Sequence, residues 1–437
     1  MAQEKKNYLL PIVVMIFLFG MISFVTNLAS PMGDILKYQF KVPNWMGTLG
    51  VFANFIAYAV MGYPAGNLLQ KHGYKKTALI AISVGFVGVG IQTLSGVFGN
   101  FGIYLLGAFI AGFSMCLLNT VVNPMLNKLG GRGNRGNQLI QTGGAFNSLS
   151  GTAVIVLTGV LIPEGIKNAQ ISNVFPLLYA ALAIFAFAFI VIGLTAIPEE
   201  KKQQATIEKS QYSPLSFRHF IFGAIAIFVY VGVEVGIPNV LQKWLQNPDL
   251  DVLKLGGSEK VETIAGSIAA TYWFLMFIGR FIGASIGGKV SAKTMLGVAS
   301  TVGLILTIAA MLTSSTIIQV PVFNKEVHSL ASIFTMAGVP VNAALLVLLG
   351  LCTSVMWGGI FNLAVEGLGK FTEKASGIFM VMVCGGGILP LLQNGIVDIT
   401  GGTGYLISYC VVVIGFVYLL YYALVGSKNV NKDIKVD

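Results

Sequence analysis

Twelve stretches of roughly 20 mainly apolar residues, parted by short polar breaks, run the length of this chain. They lie near residues 8–30, 46–67, 76–98, 101–126, 138–162, 174–197, 217–242, 264–288, 293–313, 340–365, 374–398 and 403–426. About 20 such residues, wound as a helix, cross the ~30 Å hydrocarbon core of a bilayer. Lipid offers no partner to an unpaired amide, so runs this long must be helices. A β-barrel would show short alternating segments instead. Charge agrees: only 10% of the 437 residues are charged, against about 25% in soluble chains. The expected fold class is an all-α membrane protein of twelve spans.

The basic start, Glu4-Lys5-Lys6, precedes an apolar run that continues past 20 residues without a small-x-small cleavage site, so it reads as an uncleaved first span. With the amino terminus inside, 20 of the 27 Lys and Arg fall on the inner side, Arg280 among them. Seven fall outside: Lys37, Lys41, Lys167, Lys243, Lys254, Lys260 and Lys325. That bias predicts cytoplasmic termini in a plasma (bacterial inner) membrane, and makes the net charge of +10 a matter of topology, with no nucleic-acid partner. Cys116, Cys352, Cys384 and Cys410 all fall within spans and form no disulfide or metal pattern.

The polar stretch 198–216 divides six spans (1–197) from six (217–437). Two internal matches sit at equivalent places. Gly66, Lys76-Thr77 and Ser83 after span 2 are spaced as Gly283, Lys293-Thr294 and Ser300 after span 8, and the run from Asn123 to Gly130 parallels that from Asn362 to Gly369. Two parallel six-span repeats are the architecture of the major facilitator superfamily. The outer connections 163–173, 243–263 and 314–339 are longer than a hairpin needs and read as surface insertions or partial covers of the outer mouth.

The run Phe228-Val229-Tyr230-Val231-Gly232-Val233-Glu234-Val235 resembles span 7 of the fucose–galactose–glucose symporter family. Gly279-Arg280-Phe281-Ile282-Gly283, the segment from Ile360 to Gly369, Gly385-Gly386-Gly387-Ile388 with Pro390, Asn123-Pro124 and Ala145-Phe146-Asn147-Ser148 fit the same pattern, over nearly all twelve spans. The resemblance implies a monomeric cation-coupled monosaccharide importer that uses no cofactor. A proton-coupled member carries carboxylates in spans 1 and 4. Asn27 and Asn119 align there, so both carboxylates are absent.

Of the 17 acidic residues only Glu234 lies well inside a span. A charge there costs about 2.5–3.5 kcal/mol on insertion scales, so it serves a coupling cation, a proton, sugar hydroxyls or a structural pair. Tyr230 lies one turn before it and Pro238 one turn after, where a broken helix would free carbonyls for a cation. Sodium is slightly preferred over a proton, because both family carboxylates are absent and broken backbone beside Glu234 could hold it, although Glu234 could equally carry one proton. Amides both donate to and accept from sugar hydroxyls, and indoles stack on sugar C–H faces. The substrate candidates are therefore Asn27, Asn119, Asn123, Gln141, Asn147, Trp273, Trp357, Asn362, Gln393 and Asn394. The same amides can instead bind helix to helix.

The segment Gly66–Lys76 resembles a degenerate form of the superfamily loop between spans 2 and 3, without its usual acidic residue. Lys75 and Lys76, with Arg280 and Lys293 in the second-half counterpart, are the gating candidates. No phosphate-binding loop, HExxH pattern or His/Cys pair occurs, and His72, His219 and His328 lie near or beyond span ends. The expectation is alternating access around a midplane sugar site. Its rivals are uniport, export of a lipophilic compound, and a membrane enzyme or sensor.

Overall fold

A computed structural model describes residues 8–39, 49–131, 133–161, 170–198, 212–255, 260–324, 333–431 and 433–434. Lys41, Lys167, Lys325, His328 and the linker centre 199–211 lie outside them. Among the described residues ten helices are long and apolar enough to cross a membrane. One of the ten holds two spans, and span 5 is a further helix. Spans 2 and 3 run together as Leu49–Phe98, and the chain turns between them at Gly73 (φ 78°), a conformation glycine adopts freely. Span 5 is the helix Arg135–Leu161, whose amides and hydroxyls gather in its first half. Its polar face is turned to neighbouring spans.

Span 1 is Leu9–Gln39, span 4 Phe101–Gly130, span 6 Phe175–Leu194, span 7 Arg218–Gln246, span 8 Lys260–Ile286 and span 9 Ala292–Leu312. Span 10 comes in two pieces, Val341–Thr353 and Met356–Val365. Span 11 passes from Thr372–Val381 through a 3-10 turn, Met382–Cys384, into Gly385–Thr400. Span 12 is Cys410–Tyr421, ending in a π turn. Polar side chains start two of these helices. Asn100 Oδ1 accepts from Ile103 N at 3.2 Å, and Ser291 Oγ from Thr294 N at 3.1 Å, each meeting an amide with no partner inside its helix.

Pro64, Pro124, Pro238 and Pro390 all lie inside helices. The break expected at Pro238 does not occur. Span 7 continues through it, and Tyr409 Oη of span 12 donates to Ile237 O nearby at 2.9 Å. The 3-10 turn of span 11 precedes the Gly385–Gly387 run, which opens a regular helix and serves close approach. A side chain at Gly385 would strike the backbone of Phe228, and one at Gly386 the ring of Phe55.

Spans 1 and 5 pack together in the first six spans, as spans 7 and 11 do in the last six. The two sets meet through spans 5 and 8 and through spans 2 and 11. An even number of crossings leaves both ends of the chain on one side, called here the terminus end. The 314–339 connection forms an antiparallel hairpin, β1 Ile317–Phe323 with β2 Phe334–Pro340. Phe323 N donates to Thr271 Oγ1 at 2.8 Å. Thr271 is nine residues before Arg280, about half a turn round span 8. The hairpin therefore lies on the flank facing away from Arg280 and does not cover a central mouth.

Candidate functional site

Glu234 and Arg280 form an ion pair inside the bundle, with Arg280 Nη2 3.2 Å from Glu234 Oε1 and side-chain exposures of 12% and 11%. This corrects the expectation that Arg280 ends span 8 beside a cytoplasmic loop. It lies six residues, about 9 Å, inside the end of that helix. Taking it out of the inner count leaves the charge bias intact. A lone charge at this depth is expensive, and a pair is tolerated when further hydrogen bonds complete it. They come from span 5 across the divide. Arg280 Nη1 donates to Ser148 Oγ at 2.8 Å, Asn147 Oδ1 at 3.3 Å and Gly144 O at 3.4 Å. Asn147 in turn donates to Phe19 O of span 1 at 3.0 Å. One guanidinium thus ties spans 1, 5, 7 and 8 together.

A second network starts at Trp357, whose Nε1 donates to Asn123 Oδ1 across the divide at 3.0 Å. Asn123 donates to Asn119 O at 2.8 Å, and Asn119 Nδ2 to Tyr58 Oη at 2.7 Å. The i, i+4 spacing sets both amides on one face of span 4. The networks touch where Tyr230 meets Trp357 edge-on, with ring centroids 6.4 Å apart. Gln393 of span 11 lies against Gly236, two residues from Glu234; its Nε2 is buried without a partner. The Tyr230 hydroxyl lies beside the Glu234 carboxylate. The result is one charge pair set among neutral amides, hydroxyls and an indole.

The other candidates lie apart. Asn27 Nδ2 bonds within its own helix, to Ser23 O and Oγ, both at 2.9 Å. Gln141 Nε2 donates to Val355 O at 2.7 Å, at the break in span 10, so it joins the two sets of spans. Trp273 is 36% exposed and stands two turns from Arg280 on nearly the same face of span 8. Asn362 is half-buried and points about 140° away from Trp357. Asn394 meets Lys243 Nζ at 2.9 Å and Asn239 at 3.3 Å, toward the far end of span 7.

Of the gating lysines, Lys75 donates to Gly193 O and Thr195 O at 2.8 and 3.0 Å, at the end of span 6. That is a C-terminal cap inside the first six spans. Lys76 and Lys293 are exposed. Neither Lys75 bond joins the two sets of spans. Tyr58 and Ser148 join these networks although a tyrosine or serine in an apolar run looks like ordinary packing in the sequence. No group of three or more His, Cys, Asp or Glu converges among the described residues. A separate cleft of about 550 Å³, lined by Leu253, Ile264, Ile317 and Gln319, lies at the hairpin; Ile264 is about 24 Å along span 8 from Arg280.

The family model described as Major Facilitator Superfamily matches residues 12–390. The chain belongs to the Major Facilitator Superfamily. Within it, the glucose/galactose transporter of Brucella abortus biovar 1 is 29% identical over 433 residues, covering 98% of this chain and 97% of that one. The L-fucose-proton symporter of Escherichia coli K12 is 22% identical over 433 residues, 92% of this chain and 90% of that one. Among solved structures, the superfamily transporter FucP in the outward conformation aligns with a TM-score of 0.77 at 20% identity, covering 97% of this chain and all of that one. The twelve-span facilitator fold places the Glu234–Arg280 pair and the Trp357–Asn123 contact between its two sets of spans.

Proposed function

We propose that this chain is a secondary active importer of a neutral monosaccharide of the glucose, galactose or fucose class, driven by protons through Glu234. The observation that carries the reading is a single buried carboxylate–guanidinium pair among neutral amides and Trp357. Such a site has no net charge to offer an ionic solute, and its donors and acceptors suit hydroxyls. Relatives named as a glucose/galactose transporter and an L-fucose-proton symporter support the same solute class.

The pair favours a proton over sodium. One of the two grounds for sodium is a broken helix at Pro238, and that helix is continuous. Arg280 occupies the carboxylate, so a second cation there would be repelled. A proton instead neutralises Glu234 and releases Arg280, whose donors turn to sugar oxygens. Proton and sugar then depend on each other. One charge falling through 100 mV supplies about 2.3 kcal/mol, roughly 50-fold accumulation of a neutral sugar.

The halves are taken as 1–197 and 217–437, joined by the linker 198–216 and rocking about this site, with the termini cytoplasmic, the membrane a bacterial inner membrane and the protein a monomer. The bonds from Arg280 and Gln141 close the terminus end, so sugar enters from outside. Purified protein in liposomes tests this with a sugar panel under separate proton and sodium gradients. The expected result is proton-driven hexose accumulation, lost in Glu234→Gln while sugar exchange persists. Accumulation driven by sodium alone, or by neither ion, overturns the coupling.

A further inference from the structure

The hairpin between spans 9 and 10 takes no part in the cycle above, and its two faces are unlike. Side chains alternate along a strand, so residues two apart share a face. Val322, Ala337 and Val339 share one face and are buried. On the other, Gln319 pairs with Gly338, Pro321 with Met336 and Phe323 with Phe334. Met336 is 62% exposed there, and Pro321 and Phe334 are exposed beside it. A hairpin standing in water packs its apolar face inward and turns polar side chains out. This one is apolar on both faces.

The element beneath the hairpin says what covers the exposed face. The Phe334 ring packs on Phe274 of span 8, with centroids 5.1 Å apart. Phe274, Phe277 and Phe281 continue as a row of rings with centroids 6.1 and 5.1 Å apart. Phe281 and its neighbour Ile282 are exposed, as on a flank that faces acyl chains. The exposed face of the hairpin is continuous with that flank. At its base opens the cleft of about 550 Å³, where Ile317, Gln319 and Gly338 meet Leu253 and Lys254. Thr316, just past the end of span 9, also lines it. Span 9 has 21 residues, a rise of about 31 Å, and so ends at the far edge of the ~30 Å hydrocarbon. Lys254 is the one charged side chain among the described residues that line the cleft. Its backbone holds φ 54°, a conformation uncommon for a residue with a side chain. The nearby Asp251 turns Oδ1 to Leu255 N at 2.9 Å.

We propose that the cleft and the apolar strip leading from it hold one anionic phospholipid of the leaflet opposite the termini. Its phosphate lies at Lys254, with Gln319 and Thr316 as neutral donors. One acyl chain follows Pro321, Met336 and Phe334 toward the rings of span 8. A lysine at the membrane edge favours a net negative headgroup over a neutral one by about fivefold. The lipid packs the hairpin onto span 8 and leaves the sugar site untouched.

The test is indole emission from Met336→Trp in phosphatidylcholine liposomes, read against the parent protein. Lipids brominated on an acyl chain quench an indole that they touch. The expected result is that brominated phosphatidylglycerol, as a minor component, quenches about fivefold more strongly than brominated phosphatidylcholine. Adding Lys254→Gln removes that preference, and aqueous iodide has no effect in either protein. Quenching by iodide in place of bromine puts the face in water and overturns the proposal. Bromine quenching with no headgroup preference, or a preference that survives Lys254→Gln, also overturns it and leaves adventitious lipid only. Sugar uptake by the same liposomes reports whether each variant is folded. Should Met336→Trp not fold, Phe334→Trp reads the same face.

Discussion

The first six spans and the last six meet along two seams that the internal repeat relates, and the two are built of different chemistry. Where span 2 meets span 11 the contact is backbone on backbone. A side chain at Gly62 would come within 2.6 Å of Val381 N, and one at Gly377 within 2.6 Å of Gly62 O. Where span 5 meets span 8 the contact is made by side chains. Gln138 Nε2 donates to Ala284 O at 3.2 Å, and Arg280 reaches Gly144, Asn147 and Ser148. The glycine seam holds mainly by shape and dispersion, with one cation over a ring beside it, Lys374 Nζ 5.8 Å from the Tyr63 centroid. The polar seam ends on Glu234. In the proposed cycle a proton or a sugar loosens it, so that only one of two symmetry-related contacts answers to the ligand.

The largest expected effect comes from adding bulk to the glycine seam. Gly377→Leu has backbone on its open side, and backbone cannot move aside as a side chain does. The terminus end then fails to close, transport is lost, and cysteines placed along span 11 become reactive from the terminus side; normal transport by this variant would break the contrast. Next is Arg280→Ala, which leaves Glu234 buried without its cation. Removing one partner of a buried pair costs about 3–5 kcal/mol, so the melting temperature in detergent falls and accumulation stops. Arg280→Ala combined with Glu234→Gln recovers much of the stability and none of the coupling.

Gln141→Ala removes one neutral bond to Val355 O, worth about 0.5–1.5 kcal/mol. The balance shifts a few-fold toward the state open at the terminus end, read by the same cysteine accessibility, while sugar is still carried. Smallest of all, Lys76→Ala and Lys293→Ala change uptake by less than about twofold, since exposed charges at this end contribute little. A large loss in either would restore the loop latch and weaken the claim that the polar seam alone carries the signal.

Much of this was legible in the residues. Long apolar runs, a charge bias and two offset matches pointed to twelve spans in two sets of six. Glu234 stood out because every other acidic residue lies near or beyond a span end. Arg280 did not, because a basic residue six positions from a helix end is hard to tell from a loop cation in one dimension. Its partner lies 46 residues away and its span 5 contacts more than 130. Asn27 and Asn119 looked equivalent at the aligned positions. Folding separated them, sending Asn27 back onto its own Ser23 and Asn119 to Tyr58 across to span 2.

Hydropathy acts locally along the chain, so the sequence by itself determined how many times this protein crosses a membrane and which buried charge must be answered for. Partnership depends on how helices are rotated and how near they approach. The tertiary structure alone decided that Arg280 answers Glu234, that Pro238 leaves span 7 whole, and that one seam is glycine and the other polar. A hydrogen bond or an ion pair needs atoms within a few ångströms, and spacing along one chain does not specify that between helices more than a hundred residues apart.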